Sequence, residues 1–517
     1  MGRDCGQRRW LAALAVLALA GCATVDPFAQ APFSQHLARD DGVGECARLL
    51  QALDRAVQAA GARDAQETIV PGFPYLRADR LAESLAPATD DEDRWRLWRG
   101  RLAANDRRAR AHEFRNAVVP GGPLHAARGS DACRGVLLDA DDAPAARAAL
   151  RAAARVPDDY STALRVLGLY PLTKLAFAAG IRHWHDGTRE VFAQPLAALP
   201  LQGELQAYAP ALDAARGLAE APDRWRPEGA PRASLTRDAL GVPQVDALAA
   251  LLQRHAPLLE VDASGPHDRI GPLALDGDGR VQVDLAAAPV AYVRLAQGEL
   301  GGVLRPQLVY TFWFPARPKD HPLDLLGGHL DALVWRVTLD DDGEALAYDS
   351  IHACGCYHLF FATARVQPRA GPAPGQGRFD EGLFMPQPAL RERRPGERLA
   401  LRIESRTHYL QRVSLVADAP RAALDYRLRL EDSLRSLALP SAAPGAPATR
   451  SAYDEAGMIA GSERLERFFF WPMGIASAGQ MRQWGRHATA FVGRRHFDDP
   501  RLLDRYFTLT DAPNAPQ

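Results

Sequence analysis

Charge of one sign is the first thing this sequence lacks: across 517 residues Lys and Arg number 62 and Asp and Glu 63, for a formal net charge of −1. So even a balance gives no field to draw in a polyanion, and a nucleic-acid-binding protein is not expected. Cysteine is scarce too. Six in such a length cannot staple a disulfide-dense scaffold, so a hydrophobic core has to hold the fold. Long apolar runs are missing, and a mean hydropathy of −0.23 excludes a polytopic membrane protein. Familiar catalytic signatures are absent as well. Gly474-Ile475-Ala476-Ser477-Ala478-Gly479 has the wrong spacing for a nucleophile elbow, and there is no HExxH, P-loop, dinucleotide glycine fingerprint or CxxCH. Asp276-Gly277-Asp278-Gly279 opens like a calcium loop but places Arg280 at the third ligand position.

What is present is a content of 47% hydrophobic residues. At about 100–200 residues per domain, that is enough core for roughly two to four folding units. Residues 1–22 carry Arg3, Arg8 and Arg9 ahead of an apolar run from Trp10 to Ala20 and close in Leu19-Ala20-Gly21-Cys22. The run is too short to span a bilayer, for which about 20 residues are needed. It reads as an export signal, and the stretch resembles that of bacterial lipoproteins, over these residues alone. The resemblance implies a signal peptide at 1–21 and Cys22 as the acylated N-terminus, carrying palmitate or a similar chain. It also implies an outer-membrane lipoprotein facing the periplasm, because Ala23 stands where many inner-membrane lipoproteins have Asp. The membrane is then a partner through the lipid, and any further partner is a small-molecule substrate or an envelope protein. In an oxidising compartment, Cys46 and Cys133 are expected to form a disulfide.

The chain changes period along its length. Residues 22–44 read as a tether, rich in Ala, Pro, Asp and Gly. Cys46, Leu49, Leu50, Leu53 and Val57 recur at helical spacing until Gly61; Thr89-Asp90-Asp91-Glu92 caps a second helix bearing Trp95, Trp98 and Leu102; Pro144 to Val156 is a third. The apolar stretch 161–181, broken by Arg165, Pro171 and Lys174, predicts a buried helix pair or a helix resting on a surface. Residues 45–260 are thus expected to be mainly helical. From 261 to 440 the pattern is that of strands, with hairpin turns at Asp276-Gly277-Asp278-Gly279 and Asp342-Gly343 and a Pro/Gly loop over 367–396. Leu333, Trp335, Val337 and Leu339 alternate with Val334, Arg336 and Thr338, as on a sheet with one buried face. Residues 450–517 read as a small mixed segment ending in a helix begun by Asp499-Pro500. The fold class is α+β: a helical domain, then a mainly antiparallel β domain, then the mixed segment.

One stretch carries chemistry-bearing residues in series: His352-Ala353-Cys354-Gly355-Cys356-Tyr357-His358. Four soft or borderline ligands at every second position share one face of an extended strand, which spreads them over about 20 Å at roughly 3.3 Å per residue. One ion with ligands at about 2 Å therefore requires a bend, and Gly355 permits it. Three readings stand side by side. His352, Cys354, Cys356 and His358 form a transition-metal site for Zn or Cu, with Asp349 or His329 as acid/base or supporting groups. Alternatively Cys354 and Cys356 close a strained disulfide, which points to redox exchange. The third reading has both cysteines buried in the core with the histidines hydrogen-bonded around them. The segment 315–331 beside it holds His321, His329 and three acids, and the tail holds Met473, Met481, His487 and His496. Function therefore divides between an envelope lipoprotein with a metal or redox site and a non-catalytic binding or scaffolding lipoprotein.

Overall fold

A computed structural model describes residues 26–218, 235–371, 373, 376–417, 422–440 and 446–510. The signal segment and Cys22 lie outside the described residues. The fold is α+β, with its helices concentrated in the N-terminal part. Helices α1 (Gly42–Ala59), α2 (Glu92–Asn116) and α3 (Pro123–Ala140) pack around a hairpin of Thr68–Val70 and Phe73–Ala78. Asp41 caps α1 through the amides of Val43 and Gly44. In α2 the cap is Asp91 rather than Thr89, whose hydroxyl is already engaged with the carbonyl of Ala86 and the guanidinium of Arg151. The expected tether is largely absent. From residue 26 onward the chain is packed, with Phe28 and Phe33 buried in the same core as Leu50, Tyr75, Trp95 and Trp98.

Polar groups tie this lobe together from within. Asp106 of α2 is wholly buried and meets Arg77 at 3.3 Å, Arg110 at 3.0 Å and Arg134 at 2.6 Å. Glu113 takes both of its contacts with Arg77 at 2.8 Å. Such clusters add little net stability but leave an uncompensated charge if one partner is lost. Cys46 of α1 and Cys133 of α3 form the expected disulfide, with their Cα atoms 4.9 Å apart.

The body of the molecule is a ten-stranded sheet. In chain order its strands are β1 (Glu204–Pro210), β2 (Leu258–Ala263), β3 (Val290–Glu299), β4 (Leu304–Arg317), β5 (Gly328–Leu339), β6 (Ala345–His352), β7 (Leu359–Ala362), β8 (Arg398–Ile403), β9 (Leu410–Val416) and β10 (Leu424–Leu430). In space they run 7-6-5-4-3-10-1-2-8-9. The stretch from β7 to β3 is a plain antiparallel meander that includes the predicted turn at Asp342-Gly343, while the predicted turn at Asp276–Gly279 closes a separate two-stranded hairpin of Leu273–Leu275 and Val281–Val283; β10 joins β3 and β1 in parallel, and β8 joins β2 in parallel. A boundary near residue 260 therefore does not hold. β1 and β2 come from the region expected to be helical, because short runs such as Leu258-Leu259 carry no period by which to tell a strand from a helix end.

Both faces of this sheet are buried, which corrects the single buried face expected from β5. Leu333, Trp335, Val337 and Leu339 pack in one core with Tyr310, Phe312 and Phe314. Leu330, Ala332 and Val334 pack in a second core with Trp313, Ile351, Met481 and Phe497. The C-terminal segment from Thr449 supplies that second cover mostly as irregular chain, and its last strand pairs Phe507–Leu509 with Val366–Pro368. Arg336, at a position that looked solvent-facing, is buried because Asp349 of β6 takes it at 2.8 and 2.5 Å. Arg435 does the same between regions, reaching Asp64 at 2.8 Å and Glu67 at 3.0 Å.

Cys46→Ser should lower the unfolding free energy by about 2–4 kcal/mol, since the bridge restrains a long loop of the unfolded chain. Urea unfolding of the variant and of the oxidised and reduced wild type checks this. Coincident curves for all three would show that the bridge adds nothing.

Candidate functional site

The HACGCYH segment is the tight turn joining β6 to β7. Its backbone closes through the amide of Gly355 on the carbonyl of His352 at 2.8 Å and the amide of His352 on the carbonyl of Cys356 at 3.0 Å. The bend falls at Gly355 as expected, with φ +90°. A side chain there is also refused by space, since a Cβ would lie 2.5 Å from the carbonyl oxygen of Ala488. The bend leaves the two cysteines beside each other but turns both histidines away to separate aspartates. His352 turns to Asp331, Nδ1 to Oδ1 at 3.1 Å, and His358 turns to Asp349, Nε2 to Oδ2 at 2.9 Å. Cys354 and Cys356 are free thiols buried in the second core, and the Cys354 sulfur accepts from the Cys356 amide at 3.4 Å. The Cys356 thiol also meets the Cys354 thiol, and that side-chain hydrogen bond, together with burial, pushes Cys356 well above its usual range. A cavity of about 20 Å³, room for one water molecule, touches Cys354, Gly355, Cys356, Tyr357 and Gly479.

The donors therefore do not fit one Zn or Cu ion held by His352, Cys354, Cys356 and His358: among the described residues no three His, Cys, Asp or Glu side chains converge as metal ligands. Asp349 is wholly committed to Arg336 and His358; burial would raise its carboxyl, but Arg336 and His358 hold it below the usual range. His329 is exposed and its Nε2 bonds to the carbonyl of Val281 at 2.7 Å. In the tail Met473 and Met481 are core residues, and His496 meets Asp158 at 3.3 Å.

What does converge is a chain of imidazoles and carboxylates around Asp331 of β5. Its second oxygen takes Nδ1 of His408 at 3.0 Å, and Arg464 lies 3.7 Å from the first. On its far side His408 faces Asp268, Nε2 to Oδ1 at 3.4 Å. Asp268 in turn accepts from the Ser405 hydroxyl at 2.9 Å and from the amides of Ser264 at 2.8 Å and Arg406 at 2.6 Å. The His408 ring is fully buried, stacked on Phe314 at 3.9 Å. Burial alone would lower this imidazole, but the carboxylates of Asp268 and Asp331 outweigh it and raise its affinity for a proton. Against the cost of its own burial, the Asp331 carboxyl is held well below the usual range by His352, His408 and Arg464. His352 goes the other way, lowered by burial despite Asp331, and is the neutral imidazole of the pair.

Around His352 stands an aromatic wall. Tyr357 lies 5.0 Å and Tyr409 5.8 Å from its ring, and the two tyrosines are 4.6 Å from each other. Trp184, from helix α4 (Tyr170–Ala193), closes on Tyr357 at 5.3 Å. Arg317 at the end of β4 donates to the Tyr409 hydroxyl at 3.2 Å. Glu466 is buried nearby, and burial pushes its carboxyl up to about 7 against the pull of Arg464 and Arg317. Asp331 and Arg317 lay within the stretch 315–331 noted from sequence, but His408 and Glu466 gave no such signal; their sequence neighbours are ordinary and only the fold unites them.

The backbone at this place is unusual. Six described non-glycine residues have positive φ, and four of them touch the site: Leu330 at +56°, Tyr357 at +61°, Arg406 at +67° and His408 at +54°. No family model, curated protein or solved structure matches the chain.

Because the folded-state affinity of Glu466 for its proton is raised from 4.5 to about 7, the folded form holds a proton that the unfolded form releases above pH 4.5. The stability of the wild type relative to Glu466→Gln should therefore fall as pH rises through that window, by up to about 3 kcal/mol at 1.36 kcal/mol per pH unit. Urea unfolding of both proteins at pH 5 and pH 7.5 reads the difference. Parallel pH dependence would mean that Glu466 is an ordinary carboxylate in the folded state.

Proposed function

We propose that this chain is a periplasm-facing outer-membrane lipoprotein, anchored through acylated Cys22, whose working centre is an acid/base site built on His352. His352 serves as base, its ring fixed by the hydrogen bond to Asp331. Glu466 is the proton donor, kept protonated near neutral pH by burial. Arg317 offers the positive charge that would stabilise negative charge developing on a small polar substrate held against Tyr357 and Tyr409. Asp268 and His408 are positioning residues that orient Asp331.

The observation that carries this reading is the set of four left-handed residues, Leu330, Tyr357, Arg406 and His408, gathered at one buried polar chain. Backbone strain of that kind costs roughly 1–3 kcal/mol per residue and concentrates where a site must be held in place. Opposite pulls on two buried titratable groups that both feel Asp331 and Arg317, His352 lowered and Glu466 raised, are the arrangement that acid/base work at neutral pH requires.

A second reading, the non-catalytic envelope protein, is favoured by the cysteines themselves. Cys354 and Cys356 pack with Ile351, Ala353 and Met481, and Cys356 is held as a protonated thiol, so both suit a core brace better than a redox pair. Thiol and metal counts on periplasm-expressed protein should give two thiols and no stoichiometric metal. One bound Zn or Cu per chain would restore the soft-ligand site.

The acid/base proposal is tested by incubating the purified protein with a small-molecule extract of the cell envelope and following consumed and formed species by mass spectrometry. A product should appear with wild type and fall by about 10²-fold or more with His352→Asn and with Glu466→Gln, both folded by circular dichroism. Turnover unchanged in the two variants, or none with wild type, would leave the bracing role alone.

A further inference from the structure

The segment 161–181 folds as two helices, Thr162–Leu167 and the start of α4, joined at Gly168-Leu169. Its outward side is apolar: Val166, Leu167, Leu169 and Leu172 are each more than 60% exposed and Leu175 is 45% exposed. Its charged residues are withdrawn. Arg165 is buried, bonding to the carbonyls of Met473 and Gly493, and Lys174 lies half-buried between the Tyr170 and Phe379 rings at 5.6 and 6.0 Å. Leu169, which turns the chain between the helices, does so at φ +48°, a conformation disfavoured for a leucine.

This face does not end with the helices. The turn Trp471–Met473 packs against them, so tightly that a Cβ on Gly168 would lie 2.5 Å from Pro472. Just before that turn Phe468 is 60% and Phe469 58% exposed. Arg467 lies 4.8 Å over the Phe468 ring. The outer residues are therefore mostly aliphatic side chains and aromatic rings, and Lys174 and Arg467 rest on rings, while Arg494 at the edge pairs with Asp158. Scattered exposed leucines need no explanation, but a joined set rimmed by aromatic and basic groups marks an interaction surface.

We propose that this face rests on the surface of an anionic phospholipid bilayer, as a second membrane contact beside the lipid at Cys22. Leucine and phenylalanine side chains enter the acyl boundary, Trp471 sits at headgroup level, and Arg467, with Arg182 exposed about two turns beyond Leu175 on α4, meets lipid phosphates. The span from Cys22 to Asp26, where the described fold begins, is four residues. At about 3.5 Å each it keeps Asp26 within about 14 Å of an acylated Cys22, so an anchored body stays close to the bilayer surface. No helix of the described residues is long and apolar enough to cross, so the contact lies in the interface plane. This inference rests on the lipoprotein reading only for the tether argument.

The test uses the exported chain carrying Cys22→Ala behind a signal cleaved without lipidation. It should float with vesicles of phosphatidylethanolamine and phosphatidylglycerol, float less with phosphatidylcholine alone, and lose binding as salt is raised. Leu172→Glu with Phe469→Glu should weaken partition by roughly tenfold or more, with circular dichroism unchanged because both positions are exposed. A chain that stays in solution with both vesicle types overturns the proposal. So does a dimer by light scattering that the double variant dissolves, since a second copy would then be the occupant. Acylation of the natural chain is read separately from the mass of its N-terminal peptide, and its absence would remove the lipoprotein reading while leaving the vesicle result to stand.

Discussion

The carboxylate of Asp331 is the point on which the site depends. Its two oxygens take the imidazoles of His352, 21 residues away, and His408, 77 residues away, and one of them also accepts the amide of Ala332 at 2.9 Å. Three separate pieces of chain are thereby fixed to one another: strand β5, the turn after β6 and the turn between β8 and β9. Leu330 must take a left-handed conformation directly before it, and His408 must take one to bring its ring between two carboxylates. Removing the carboxylate would strand two buried imidazoles and one guanidinium without their anion, a loss of the kind that costs about 3–5 kcal/mol for a single buried pair.

Much of the scaffold was legible in the sequence and much of the site was not. The α1 helix and both Gly turns follow from local pattern, because caps, glycines and alternation act over a few residues, and the Cys46–Cys133 bridge follows from the scarcity of cysteines in a chain read as exported. The joining of β1 and β2 to strands from the far half of the chain does not, since parallel pairing between distant segments leaves no local mark. Likewise Arg336 looked like a solvent-facing residue, and only its partner Asp349 on the next strand makes its burial tolerable.

The HACGCYH segment shows how a correct local inference can lead to a wrong assembly. Alternation places His352, Cys354, Cys356 and His358 on one face only while the chain is extended. Once Gly355 turns it, Cys354 and Cys356 drop into the core and the two histidines emerge on opposite arms of the hairpin, each taken by a different aspartate. The signal that mattered was carried by the aspartates. Asp331 and Asp349 lie on adjacent strands β5 and β6, and an acid at a position otherwise surrounded by Val, Ile, Trp and Leu demands a buried cation or imidazole as partner.

Energetics separate the two readings of this centre more sharply than geometry does. A brace between strands can be made from apolar side chains, and buried ionic groups are often neutral or unfavourable when weighed against such a replacement. Here an anion, two imidazoles, a second carboxylate and an arginine are all withdrawn from water, and four residues around them sit in a backbone region that costs roughly 1–3 kcal/mol each. The strain alone is comparable to the whole stability of a typical domain, about 5–15 kcal/mol. Two well-filled cores on either face of the sheet supply the stability against which such a centre can persist. A fold that already has those cores gains little from the polar chain as a brace, and that imbalance, more than any distance in the centre, sets the bracing reading and the acid/base reading apart.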